Sequence, residues 1–434
     1  GTAADQGTAT LTKDVTDLLA KRNKALKEAT ALGTATPYDL STKGGSVARS
    51  TANSYVISAP GHYRIPLVYG NAIENGSTNA NAYTSHAAAG NSDVLYNFKD
   101  HNDQNITDPW IEKTNGGANN GVDGAEVVWA DAADLVHLSS TPISHDASGN
   151  AFLDFEVTAA DIQSGNAVVA VKKGGTTVWS WHLWFAPKDA LDKIPVTNHQ
   201  GKVYNFTKET LGWKPTQWSG STYDKARTVK VKVEQTVANN GTKQETVINI
   251  TQNPGSVKKG ATTLYQFGRK DAFPGVDASK LAANSHFTEN AGDNMSIMNG
   301  IQHPDFNYTW GSGSNWQTNY GYYNLWSADN TVVGYNDNSV VKTVYDPCPV
   351  GFKMPASNAF TGFTANGQNS GTMNVDGTDD WQTYQSNFGH NFWTSSSKTA
   401  TIHFPASGYR NEANGSLRDV GTSGSDYSAG PARG

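Results

Sequence analysis

The chain has 434 residues, 33 Lys and Arg against 39 Asp and Glu, and a net charge of −6, with no basic run long enough to neutralise a row of phosphates, which argues against nucleic acid as a partner. No apolar stretch approaches the roughly 20 residues that span a bilayer, and the one cysteine, Cys348, excludes an internal disulfide and a cysteine-based zinc cage. Charged residues are 17% and aromatics 10%, with 43 glycines and abundant Asn, Ser and Thr, a mixture that predicts a mostly β protein of two or three domains.

The opening GTAADQGTAT lacks a signal-peptide core, so a targeting segment is expected to have been removed or not included. Residues 11–33 place Val15, Leu18, Leu19, Leu26 and Ala29 on one helical face, with Gly33 as the stop. Residues 33–54, dense in Gly, Ser and Thr, read as a linker or exposed loop containing Arg49. From Tyr55 onward the pattern turns to short β-branched and aromatic runs with Gly, Asn and Pro between them. Residues 166–185 predict a hairpin around Gly174-Gly175, with Trp179, Trp181 and Leu183 on one face of an antiparallel sheet. A second hairpin spans 228–252, where Val229, Val231 and Val233 alternate with Lys230, Lys232 and Glu234 in a half-exposed pattern. A boundary falls near residue 190, and after about 255 irregular, aromatic-rich stretches dominate.

Signatures of the common enzyme classes are missing: no His-Glu-x-x-His, no Gly-x-Ser-x-Gly, no Gly-x-Gly-x-x-Gly and no phosphate-binding P-loop. Asp376, Asp379 and Asp380 could hold calcium or pair for glycoside hydrolysis, or form a solvated acidic turn. The stretch 308–326, with Trp310, Trp316, Tyr320 and Tyr322, could stack on sugar rings or pin a strand-poor region together. His182, between tryptophans on a strand, reads as a hydrogen-bonded structural residue. In YDPCPVGFKMP, residues 345–355, two prolines stiffen the backbone around Cys348, which has no His, Cys or basic neighbour to activate it and reads as a small buried apolar residue.

Several phrases carry a resemblance: NSYVISAPGHYRIPLVYGNAI at 53–73, GNAVVAVKKGGTTVWSWHLW at 165–184, LYQFGRKDAFPG at 264–275, VVKTVYDPCPVGFKMP at 340–355 and FPASGYRNEANGSLRDVGTSG at 404–424. They resemble surface proteins of anaerobic gut and oral bacteria, the fimbrillin-like cell-adhesion group, with a C-terminal Fibrobacter-type major paralogous domain similar to C-type lectin-like folds. After an N-terminal helix and linker (1–52), which the resemblance does not reach, it implies an antiparallel β-sandwich (53–190) and a loop-rich, α+β lectin-like domain (191–434) that includes the 228–252 hairpin. It also implies a secreted, outer-surface, non-enzymatic adhesion protein, an accessory or tip subunit of a fimbria whose partners are other pilus subunits, joined by strand donation, and a glycan or protein receptor. Membrane attachment is then expected only through a lipid anchor or pilus base outside this chain, with no cofactor. Related pilins are trimmed after a basic residue, which puts Arg49 forward for processing. The triplets of calcium-dependent lectins do not occur here, so the resemblance carries no metal-held sugar site. The alternatives are a surface glycan-binding protein for nutrient capture, using Trp310, Trp316, Tyr320 and Tyr322, and a carbohydrate-active enzyme using Asp379 and Asp380.

Overall fold

The computed structural model describes residues 18–87, 89–215, 227–238, 240–252, 262–310, 321–379 and 389–430, and these are mostly β with few helical turns. The described part of the first helix runs Leu18–Glu28. Leu26 is buried, and Arg22 grips Glu209 through two bonds of 2.6 and 3.0 Å. The chain then reverses at Gly33, whose φ of +68° and close approach to the His62 carbonyl leave no room for a side chain.

Strand β1 (Tyr38–Asp39) follows inside the stretch expected to be a linker, and this expectation is corrected. Asp39 is buried; it accepts from Ser41 Oγ at 2.6 Å and pairs with Arg49 at 2.9 Å. Residues 18–42 therefore form a strap anchored at Arg22, Leu26, Asp39 and Ser41, and the run Lys43 to Ala48 is exposed throughout. Local composition hides this because the anchors are ion pairs and a pairing to a later strand.

The next strands are β2 (Ser54–Ile57), β3 (Gly61–Pro66), the short pair β4 (Ile73–Glu74) and β5 (Ser77–Thr78), then β6 (Gly124–Ala130), β7 (Ile143–His145), β8 (Ala151–Val157), β9 (Gly165–Lys173) and β10 (Thr176–Phe185). They build two four-stranded sheets in the orders β1-β3-β8-β7 and β2-β10-β9-β6. Neither sheet is wholly antiparallel as expected: β1 lies parallel to β3, and β2 parallel to β10. A long excursion separates β2 from β10, so no tight turn forces reversal.

The β9–β10 hairpin turns at Gly174 and Gly175, both at positive φ. Its Trp179, Trp181, Leu183 and Phe185 share one core with Tyr63, Ile65, Leu153 and Phe155 of the other sheet. The opposite face is buried too, as Val128, Trp129, Val168 and Ala170 pack against Ala272, Tyr265 and Leu281. Burial on both faces explains why Val, Ala, Trp, Leu and Phe fill both sides of these strands, and why their buried Asn166, Ser180 and His182 are hydrogen-bonded.

Beyond β10 the strands come in pairs: β11 (Lys193–Thr197) with β12 (Val203–Thr207), β13 (Arg227–Glu234) with β14 (Glu245–Gln252), β15 (Thr263–Leu264) with β16 (Phe273–Pro274), β17 (Gly389–Trp393) with β18 (Thr401–Pro405), and β19 (Tyr409–Arg410) with β20 (Leu417–Arg418). A helix Ile297–Gln302 is capped by Ser296, whose Oγ accepts from the Asn299 amide at 3.0 Å. Phenylalanines 206, 360, 363, 392 and 404 join Val196 and Ile402 in a second apolar cluster. Among the described residues no helix is long and apolar enough to cross a membrane.

Candidate functional site

Where the paired strands meet the outer face of β10, they leave a cavity of about 1240 Å³. Its wall draws on Trp184 of β10, Tyr204 and Phe206 of β12, residues 262–267, the turn 347–356, and the C-terminal Asp426 and Tyr427. Most of this lining is apolar, and three rings stand in sequence: Phe267 lies 5.0 Å from Trp326, which meets Tyr427 edge to face at 5.7 Å.

The Asp-Pro-Cys-Pro turn is built around Asp346. This buried carboxylate accepts from the amides of Cys348 at 2.7 Å and Met354 at 2.8 Å, so it ties both ends of the turn together. Lys342 Nζ, 4.0 Å from the same carboxylate, donates to the carbonyls of Cys348 at 2.8 Å and Pro349 at 3.1 Å. Burial pushes the Asp346 pKa up, opposed by Lys342. Burial, reinforced by the Asp346 charge, pushes the Cys348 thiol well above its ordinary value, and its sulfur sits 3.6 Å from Met354 Sδ. Cys348 is half-buried rather than buried as expected, and its raised pKa keeps the sulfur in the thiol form.

Several cationic groups of the wall are bonded to backbone carbonyls. Lys353 Nζ donates to the Val340 carbonyl at 2.6 Å, and Arg410 donates to the carbonyls of Pro274 at 2.7 Å, Gly415 at 3.1 Å and Val276 at 3.2 Å. Asp426 is different. By surface area it is exposed, yet it lines both this cavity and a neighbouring one of about 350 Å³, and the protein packed around its carboxyl pushes the pKa up to about 6.

Of the residues singled out in the sequence, Asp379 lines the smaller cavity, where Oδ2 accepts from the Met373 amide at 2.9 Å and Oδ1 lies 3.8 Å from His390 Nε2. Burial lowers the His390 pKa against the opposing pull of Asp379. Trp310 is half-buried, its amide donating to the Glu412 carbonyl at 2.8 Å, while its buried indole N–H has no partner among the described residues. Tyr322 packs against the main core. Neither Trp310 nor Tyr322 lines either of these two cavities, so neither shares the smaller one with Asp379. Trp316, Tyr320 and Asp380 lie outside the described residues. Among the described residues no three His, Cys, Asp or Glu side chains could hold a metal ion.

Arg49 is tucked beneath the exposed loop, bonded to Asp39 and Ser41, with its guanidinium 5.4 Å from the rings of both Trp110 and Phe152. Sequence reasoning missed Asp426 and Tyr427, whose only signal is an acidic-aromatic pair in the Gly/Ser-rich stretch GTSGSDYSAGP. Compared with known family models, curated proteins and solved structures, the chain matches none.

Proposed function

We propose that this chain is a non-enzymatic cell-surface adhesion subunit, with the two sheets of residues 53–190 acting as a sandwich and residues 191–434 as a lectin-like region that meets a glycan or protein receptor. The observation that carries the reading is the N-terminal strap. Ahead of Arg49, β1 lies parallel against β3, and the Leu32 amide and carbonyl bond Pro60 and His62 at 2.9 and 3.0 Å. The strap thus occupies the edge of a sheet through only a few backbone bonds, the arrangement from which a strand can be exchanged for one supplied by a neighbouring subunit. The phrases shared with fimbrillin-like proteins point the same way.

The test compares the full chain with one that begins at Ser50. Removal of the strap uncovers the edge of β3, so the shortened protein is expected to form oligomers, or to capture a synthetic peptide of the strap sequence, while the full chain stays monomeric. A shortened chain that remains folded, monomeric and indifferent to the peptide would overturn strand exchange. A glycan array probed with the full chain tests the receptor side separately.

A further inference from the structure

We propose that the edge of β3 is a recognition site for an extended polypeptide segment that reads Leu-x-Tyr-Asp-Leu without interruption and runs parallel to β3, the strap being an imperfect occupant of it. This rests on the strand exchange proposed above and names the chemistry of the incoming strand.

The strap carries the pattern in pieces. Leu32 lies opposite Gly61, Tyr38 opposite Tyr63 and Asp39 opposite Arg64, all in the parallel sense, and the Leu40 amide donates to the Arg64 carbonyl at 3.1 Å. Leu32, Tyr38 and Leu40 pack on the main core, and the Tyr38 ring meets Tyr63 edge to face at 5.9 Å. Leu32 and Tyr38 are six residues apart but their partners are two apart, so four residues of the strap loop away from the edge between these contacts. Thr34 to Pro37 are all exposed, so the loop is ordered without burial to offset the cost. A segment with one residue between Leu and Tyr makes the same ladder with no loop.

The acidic position is read by two guanidiniums. Arg49 Nη2 lies 2.9 Å and Arg64 Nε 3.7 Å from the same oxygen, Asp39 Oδ2, on a residue 4% exposed. Aromatic rings back both cations: Arg64 sits 3.9 Å over Phe152, and Arg49 lies 5.4 Å from the rings of Phe152 and Trp110. Asp154 stands opposite Arg64 on β8, but the ion pair of that guanidinium is with Asp39. Withdrawal of the strap takes this carboxylate from both arginines, so an incoming strand needs an acid at the same place.

The test uses the full chain with a specific protease site inserted after Gly45, where a side chain would meet nothing within 4 Å. Cutting there leaves the strap seated but no longer tethered. Three labelled peptides are titrated by fluorescence anisotropy: strap residues 31–41, a continuous version Ala-Leu-Gly-Tyr-Asp-Leu-Ser, and that version with Asn for Asp. The continuous peptide is expected to bind at least about tenfold more tightly than the strap peptide. The Asn version should bind at least about tenfold more weakly than the continuous one, and Arg64→Gln should narrow that gap. Equal affinity of the Asp and Asn versions, or a strap peptide that binds as tightly as the continuous one, would overturn the proposal and leave strand exchange standing. Capture of none of the three would overturn both. Should Arg64→Gln fail to fold, the Asp and Asn peptides decide with Arg64 in place.

Discussion

Asp346 turns a stiff loop into a fixed one. Its oxygens take the amides of Cys348 and Met354, and the prolines at 347 and 349 supply no competing donors. Asp346→Ala leaves two amides without a partner and removes the counter-charge of Lys342, so it should cost about 2–4 kcal/mol, read from urea unfolding. The same variant should let a thiol reagent label Cys348 faster at neutral pH than it labels the native protein, where the raised pKa leaves little thiolate. His182 makes a prediction in pH. Its Nε2 donates to Asn166 Oδ1 at 2.8 Å, its Nδ1 lies 3.3 Å from Ser54 Oγ, and burial lowers its pKa from an ordinary 6.5 to about 3. Between those two values the unfolded chain holds the proton and the folded chain does not. Stability therefore falls as pH drops through that window, at up to about 1.4 kcal/mol per pH unit, and above it the residue contributes no slope. Denaturant curves from pH 7.5 down to 4 should be flatter for His182→Gln than for the wild type; parallel curves would mean the imidazole charges inside the fold. The neutral, bonded role of His182 was legible from its tryptophan neighbours. The role of Asp346 was not, because a buried Asp ahead of a proline looks in sequence like any exposed turn.

The two long hairpins show what alternation conveys. In β9–β10 most positions away from the turn are buried, polar Asn166, Ser180 and His182 among them, and both faces are covered. In β13–β14 one face carries Val229, Val231, Val233, Ile248 and Ile250, the other Lys230, Lys232, Glu234 and Glu245, and both stand largely in solvent. Among the described residues its ion pairs are internal, Lys232 with Glu234 and Glu245 and Lys243 with Glu234. Replacing residues 227–252 by a short Gly/Ser link should therefore move the melting temperature by no more than about 3 °C. Trp181→Ala, which empties the space between the two sheets, should cost about 3–5 kcal/mol in the same chain. Scanning calorimetry on both variants checks the contrast, and a large loss from the hairpin deletion would show that its apolar face is covered. The hairpins and their turns could be read directly, since their pairing is local. The parallel partners of β1 and β2 could not, because strands joined by long connections leave no periodicity across the gap.

Across the whole molecule, the apolar core runs without interruption from the sheets into residues beyond 190. Asn53 donates to the carbonyls of Val344 and Asp346 at 2.7 and 2.8 Å and accepts from Trp179 Nε1 at 2.9 Å, so one side chain ties β10 to the cysteine turn. Trp129 donates to the Ala272 carbonyl at 3.1 Å, Ser180 donates to Asp271 at 2.7 Å, and Gly70 leaves no room for a Cβ beside Val344. Lys270, also bonded to Ser180 and Asp271, has its pKa lowered by burial, a charge that only the assembled interface accommodates. A chain cut after Ala190 would expose Val128, Trp129, Val168, Ala170 and Trp184 together, an apolar face with no cover. That fragment should bind a hydrophobic dye and self-associate, while the full chain unfolds in a single transition. Asn53→Ala should lower that one transition by about 1–3 kcal/mol without splitting it. A fragment 1–190 that is monomeric, excludes the dye and melts as sharply as the parent would mean that the two parts fold independently and only later dock.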